Sequence, residues 1–312
     1  MKAIQIILIL IFYPSLSMAC NISIDSVTNV TFAWDGLQQN VTGNWQISRD
    51  QSGDNECRDY HITITTGNSV DFNRTLIEPN SSTSLDYNLY PGNNQNQIFK
   101  DHPFATKNEV IEGKFKKKGL TDNGTFEAIL ATPPSVGTLP GGSYNDIVFM
   151  KVYKGDFTGT RVLATSENVN ITTLVPQTIE MSIVDSGSTF ISGSKTRSID
   201  FGVIDENVTT ETFDILIQSN SSFTIKASSQ NDGSLAHATD GSYKIPYSFY
   251  VNNILQSLNG SSSSPMIIGN GSGPNANPDG SRFPLKIEVS NTSNTLSGLY
   301  QDVIQITVET SL

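Results

Sequence analysis

Charge, cysteine, histidine and tryptophan are all scarce in this chain. Of its 312 residues 16% are charged, and it holds two cysteines, three histidines and two tryptophans. Two thiols and three scattered imidazoles do not make a structural or catalytic metal centre. His61, His102 and His237 stand in no nucleophile or metal motif, so no catalytic residue, metal or cofactor is expected. A net charge of −11 leaves no basic footprint for nucleic acid. Long Ala/Leu/Glu/Lys stretches are missing, so little helix is expected. Beyond the first residues no apolar run is long enough to cross a bilayer as a helix. Asp232-Gly233 and Asp240-Gly241 lack the ligand spacing of a calcium loop and read as turns.

What is present is a leader and a long series of β-rich runs. Lys2, an apolar run from Ala3 to Phe12, and small residues at Ser17 and Ala19 have the form of a secretory signal over residues 1–19. In an exported chain, Cys20 and Cys57 make one disulfide in the simplest reading. Cleavage after Ala19 would also leave Cys20 open to lipid modification. Runs such as Tyr60-His61-Ile62-Thr63-Ile64 and Leu85-Asp86-Tyr87-Asn88-Leu89 are separated by turn residues every eight to twelve positions. That spacing suggests β-sandwiches. Trp34 and Trp45 fall in strand-like contexts and read as core. Lys116-Lys117-Lys118 reads as a solvated loop, and Gly260 to Gly280, rich in Gly, Ser, Asn and Pro, as a mobile one.

The chain repeats itself. Gly298-Leu-Tyr300-Gln-Asp302-Val-Ile304-Gln-Ile306-Thr-Val308 alternates with a period of two. A near-copy, Gly142-Ser-Tyr144-Asn-Asp146-Ile-Val148-Phe-Met150-Lys-Val152, lies earlier at a constant offset. Other runs correspond in order: Phe32–Leu37 with Ser198–Val203, Asn44–Ile47 with Thr212–Ile215, and Tyr60–Ile64 with Phe223–Ala227. The expectation is an all-β chain of two tandem domains, 20–175 and 176–312, joined at Pro176-Gln177-Thr178. Asn-x-Ser/Thr triplets at Asn21, Asn29, Asn40 and Asn73 would suit a glycoprotein, but composition alone generates them.

Cys20 and Cys57, Arg74 ahead of Leu85–Tyr90, and the doubled Gly-x-Tyr-x-Asp-x-apolar strand resemble the spore coat protein U domain, the pilin domain of archaic chaperone–usher pili. The resemblance spans nearly all of the mature chain, though the second copy lacks both cysteines. It implies immunoglobulin-like sandwiches that lack a seventh strand. It also implies a periplasmic pilus chaperone, an outer-membrane usher and an adjacent pilin subunit as partners, with export to the cell surface. The alternating Val169, Ile171, Thr173 and Val175 would be the first domain's own seventh strand. After Val308 only Glu309 to Leu312 remain, so the C-terminal domain is expected to be incomplete and to accept a donor strand. Ile304, Ile306 and Val308 would floor its groove, with Ile179, Met181 and Ile183 as the other wall. A mature chain that begins at or near Cys20, tied to Cys57, would have no N-terminal extension to donate, and a subunit that accepts without donating belongs at a pilus tip, with its first domain outward as an adhesin serving attachment and biofilm formation. Val136 and Leu139, in the loop Pro133–Pro140, are the candidate contacts for an unknown surface or receptor. The alternative is a structural spore-coat or cell-surface protein that assembles without a chaperone.

Overall fold

The structure is a computed structural model that describes residues 20–51, 57–92, 95–133, 139–205, 207–275, 277–290 and 295–311. Residues 1–19, expected from sequence to be a secretory signal, lie outside the described residues. The described chain is built from twenty strands and one short 3₁₀ turn, so it is all-β. Two apolar cores share no residue: one draws on residues 20–175, the other on residues 179–308.

The first sandwich holds β1 (Ile22–Val27), β2 (Val30–Phe32), β3 (Gln39–Arg49), β4 (Asp59–Ile64), β5 (Arg74–Ile77), β6 (Ser84–Pro91), β7 (Ile111–Lys114), β8 (Thr121–Leu130), β9 (Gly142–Lys154) and β10 (Val162–Val175). They form one curled sheet in the order β1-β3-β8-β6-β5-β9-β10-β2, with β4 between β7 and β9. Alternation explains the curl. One residue in two of β3, β6 and β8 faces inward (Trp45, Ile47, Leu89, Phe126, Ala128), meeting Ile62, Ile64, Val148 and Met150 from the other layer. Cys20 and Cys57 are joined by a disulfide, which leaves no thiol at Cys20 for a lipid. Arg74 is fully buried. Its guanidinium donates to the carbonyls of Ile64 (3.1 Å), Thr65 (2.9 Å) and Phe99 (2.6 Å) and to Asn88 Oδ1 (3.0 Å). Burial pushes its pKa down to about 10, so it is still a cation at neutral pH.

The second sandwich holds β11 (Ile179–Asp185), β12 (Thr209–Ser219), β13 (Phe223–Ser229), β14 (Ser234–His237), β15 (Lys244–Val251), β16 (Ile254–Gln256), β17 (Met266–Gly271), β18 (Ser281–Val289), β19 (Tyr300–Gln301) and β20 (Ile304–Thr310). One layer runs β11-β12-β18-β15-β14-β19, with β16 on β15, and the other runs β17-β13-β20. Two expectations fail here. The Gly260–Gly280 stretch is not simply a loop: Met266-Ile267-Ile268 gives it enough apolar character to form β17 against β13. The Ser198–Val203 run, matched by sequence to the neighbourhood of β2, forms no strand. β2 exists because β10 lies parallel beside it, from Val30↔Ile171 to Phe32↔Thr173, and 198–203 has no such neighbour among the described residues.

The junction is short, and Asn220 makes most of its side-chain hydrogen bonds. Asn220 Oδ1 accepts from Thr178 N (2.7 Å), and its Nδ2 donates to Pro176 O (2.9 Å). Its own N–H reaches Thr178 O (3.2 Å), and its carbonyl accepts Gly141 N of the first sandwich (2.9 Å). Nearly every hydrogen-bonding group of Asn220 is thereby used, which explains an amide at a buried site.

Candidate binding groove and outer pole

The doubled motif makes the same contacts twice. Tyr144 Oη donates to Pro140 O (3.0 Å) and Tyr300 Oη to Leu296 O (2.7 Å), four residues back in each case. Asp146 accepts from Tyr87 Oη (2.6 Å) and Asn68 N (2.8 Å); Asp302 accepts from Tyr247 Oη (2.6 Å) and Asn231 N (3.0 Å). Burial, with the adjacent carboxylate second, pushes the Tyr87 and Tyr247 phenols far up, so both act as neutral donors. In the second copy the motif's glycine is required by space: a Cβ on Gly298 would lie 2.2 Å from His237 Nε2.

The two copies part company in what lies beside the closing strand. In the first sandwich β10 pairs with β9 from Val175↔Gly142 to Val162↔Lys154, and β2 closes its other side. Val169, Ile171, Thr173 and Val175 all point into the core, and Thr173 Oγ1 donates to Phe32 O (3.1 Å). Beneath this cover Val148, Met150 and Val152 are 0% exposed. In the second sandwich β20 pairs with β13 on one side, Ile304 with Ser229 through Thr310 with Phe223. Among the described residues no strand lies on its other side. Ile304, Ile306 and Val308, the counterparts of Val148, Met150 and Val152, are only half-buried at the margin of the core.

Ile179, Met181 and Ile183 of β11 are half-buried at the same margin. They contribute side chains rather than a free backbone edge, because residues 191–194 bond to β11: Ile183 N donates to Ser194 O (2.7 Å) and Ser182 Oγ to Ile191 O (2.9 Å). Ile199, Phe201 and Ile204 also pack, half-buried, on this core. Sequence reasoning missed them as margin residues. The signal was there, since Ile199-x-Phe201 repeats the spacing of Phe32-x-Trp34 beside β10.

The candidate adhesive loop must be corrected. Leu139 is buried in the first core and is not available to a partner; Val136 lies outside the described residues. The end of that loop is at the junction, where Gly141 bonds to Asn220. The outer pole lies at the other end of β9, 13 residues and about 40 Å away at strand spacing. There the β9–β10 turn, 155–161, and the exposed Lys116, Lys117 and Lys118 face solvent. The lysine loop is fixed from below by the buried Arg49, which donates to the carbonyls of Lys116 (3.0 Å) and Gly119 (3.1 Å). Trp45 is buried and Trp34 half-buried on the core, as strand residues should be. His237 lies on β14 and is buried.

No family model matches the chain, and no curated protein matches it. Solved structures share its general form at low identity. The CFA/I adhesin CfaE of enterotoxigenic E. coli, in a single-residue variant, is 11% identical over 93% of this chain and 88% of that one, with a TM-score of 0.44. The CupB6 tip adhesin of Pseudomonas aeruginosa is 9% identical over 92% and 94%, TM-score 0.40. The CsuC–CsuE chaperone–tip adhesion subunit complex of Acinetobacter baumannii gives 11% over 93% and 100%, TM-score 0.35. All three TM-scores lie below 0.5.

Proposed function

We propose that the chain is an exported, non-catalytic tip subunit of an archaic chaperone–usher pilus, with the first sandwich outward as adhesin and the second anchored to the fibre. One observation carries the reading: the same closing strand is sealed by β10 in the first sandwich and left as a half-covered edge in the second. An uncovered edge above apolar side chains invites pairing with another chain. A strand laid beside β20 would bury Ile304, Ile306 and Val308 as β10 buries Val148, Met150 and Val152. β-Augmentation of this kind is how a periplasmic chaperone would hold the subunit and how the adjacent pilin would replace it at the usher. The doubled motif, the disulfide and the buried Arg74 support the resemblance to the spore coat protein U domain on which the pilus assignment rests.

The test measures solubility and thermal unfolding of the mature chain, Cys20 to Leu312. Melts are recorded with and without an alternating apolar peptide taken from a pilin or from a chaperone edge strand. The expected result is two transitions, of which only the lower, from the second sandwich, rises with peptide. A monomer that unfolds cooperatively alone and ignores the peptide would overturn the reading in favour of a free-standing coat or surface protein.

A further inference from the structure

The outer pole contains a pair of histidines that no part of the adhesin reading uses. His61, on β4, is 0% exposed. Its Nδ1 lies 3.0 Å from Gly155 O in the β9–β10 turn, and its Nε2 lies 2.9 Å from His102 Nε2. These contacts fix the protons. A carbonyl only accepts, so His61 Nδ1 carries hydrogen. Neutral His61 then offers a lone pair at Nε2, and His102 must donate from its own Nε2. His102 Nδ1 is left bare, and it is buried without a partner.

A further proton has no good place in this arrangement. On His102 Nδ1 it would be a buried N–H with no acceptor. On His61 Nε2 it would drive the His102 proton over to that same Nδ1 site. Either state carries an unsatisfied donor as well as a charge. The rings are packed as well. His61 stacks on Tyr153 at 5.1 Å, His102 on Phe157 at 5.2 Å, and the Arg161 guanidinium sits 5.5 Å from the Phe157 centroid. Aromatic faces favour a cation modestly. Arg161 and Lys151 oppose one, while Glu112, Asp156 and Asp101 favour it. Those carboxylates are already engaged: Glu112 accepts Phe157 N, Asp156 accepts Thr158 Oγ1, and Asp101 pairs with Lys151 at 2.7 Å and accepts Thr63 Oγ1. Desolvation dominates, and it pushes both imidazoles below their ordinary value.

We propose that the His61–His102 pair is an acid-sensitive latch: neutral, it clamps the 101–105 turn and the 155–161 turn to β4, and protonated, it releases them. The first of these turns carries Phe104, which is 70% exposed and meets Phe72 edge-on at 6.2 Å, so acid would loosen this aromatic pair. The depressed values set the sign. The latch is closed above the unperturbed histidine range near pH 6.5 and opens as pH falls through the lower folded values.

The test is hydrogen exchange of the mature chain, with groove-filling peptide present, at pH 7.5 and 5.0 after correction for intrinsic rates. Amides of 99–106 and 155–161 are expected to be protected at pH 7.5 and to lose that protection at pH 5.0. His102→Gln should abolish that response while keeping the turns protected, because its amide can donate to neutral His61 or accept from the charged form. Nitrogen-15 imidazole spectra at pH 7.5 should show a protonated Nδ1 on His61 and a protonated Nε2 on His102. Protection that ignores pH, a His102→Gln chain that loosens as the parent does, or an imidazolium at pH 7.5 would each overturn the latch.

Discussion

Strands β9 and β20 have nearly the same sequence pattern and opposite surroundings. β9 is covered by β10 and its inward side chains are sealed; β20 is bonded on one side and its inward side chains are half-buried. The closing motif specifies the same anchoring hydrogen bonds in both copies, but it forms one continuous strand, β9, in the first and is split into β19 and β20 in the second; whether its apolar half becomes interior depends on what chain lies beside it. Local pattern decides the element; neighbouring chain decides its burial.

The comparison breaks most completely if β10 is expelled. Ile171→Asp places a charge at a fully buried position, and burying an unpaired charge costs more than a small domain can bear. The first sandwich should then behave as the second is proposed to, insoluble unless a strand peptide is supplied, as read by solubility and by calorimetry with and without a β10-sequence peptide. Next in size is the disulfide, which closes a 37-residue separation. Cys20→Ser with Cys57→Ser should cost the first sandwich about 3–4 kcal/mol. In urea titration only its transition should move, leaving the cysteine-free second sandwich unchanged.

A matched pair sharpens the contrast. Met150→Ala should cost about 2–5 kcal/mol because its site is sealed. Ile306→Ala should cost less in the free chain, about 1–2 kcal/mol, since that side chain is already partly in water. With a groove peptide bound, the Ile306→Ala cost should rise toward that of Met150→Ala; equal costs with and without peptide would count against a groove. The smallest contrast between the two sandwiches is expected for Tyr87→Phe against Tyr247→Phe. Each removes one phenol–carboxylate hydrogen bond of 2.6 Å and should cost about 1.5–3 kcal/mol at most, with similar values in the two sandwiches. Similar values would show that the motif's anchoring does not depend on the cover above it.

Much of this is legible in the sequence. Period-two runs locate most strands, the doubled motif announces two related cores, and Cys20 with Cys57 has no other partner to choose. What escapes is set by contacts distant in sequence. Leu139 has the look of an exposed loop residue because nothing local says that its side chain turns into the core. Ile267 and Ile268 are hidden inside a Gly/Ser-rich stretch, and their partner strand lies some forty residues away. His61 and His102 show no relation in the sequence because their separation of 41 residues closes only through the fold. Asn220 carries no motif; its role appears once Pro176, Thr178 and Gly141 are brought around it.

The continuity of β10 with the junction has a mechanical consequence. The strand that seals the first sandwich is also the one that leaves it, through three residues, to become β11. Tension between an attached outer pole and an anchored second sandwich would run along the axis of β10, at right angles to the hydrogen bonds that tie it to β9 from Val162 to Val175. Such a load shears the ladder as a whole rather than peeling it bond by bond. The rupture force of the first sandwich should therefore be much higher when pulled between the outer pole and residue 178 than when β10 is pulled sideways from its Val175 end, a contrast that single-molecule stretching along the two directions reads directly.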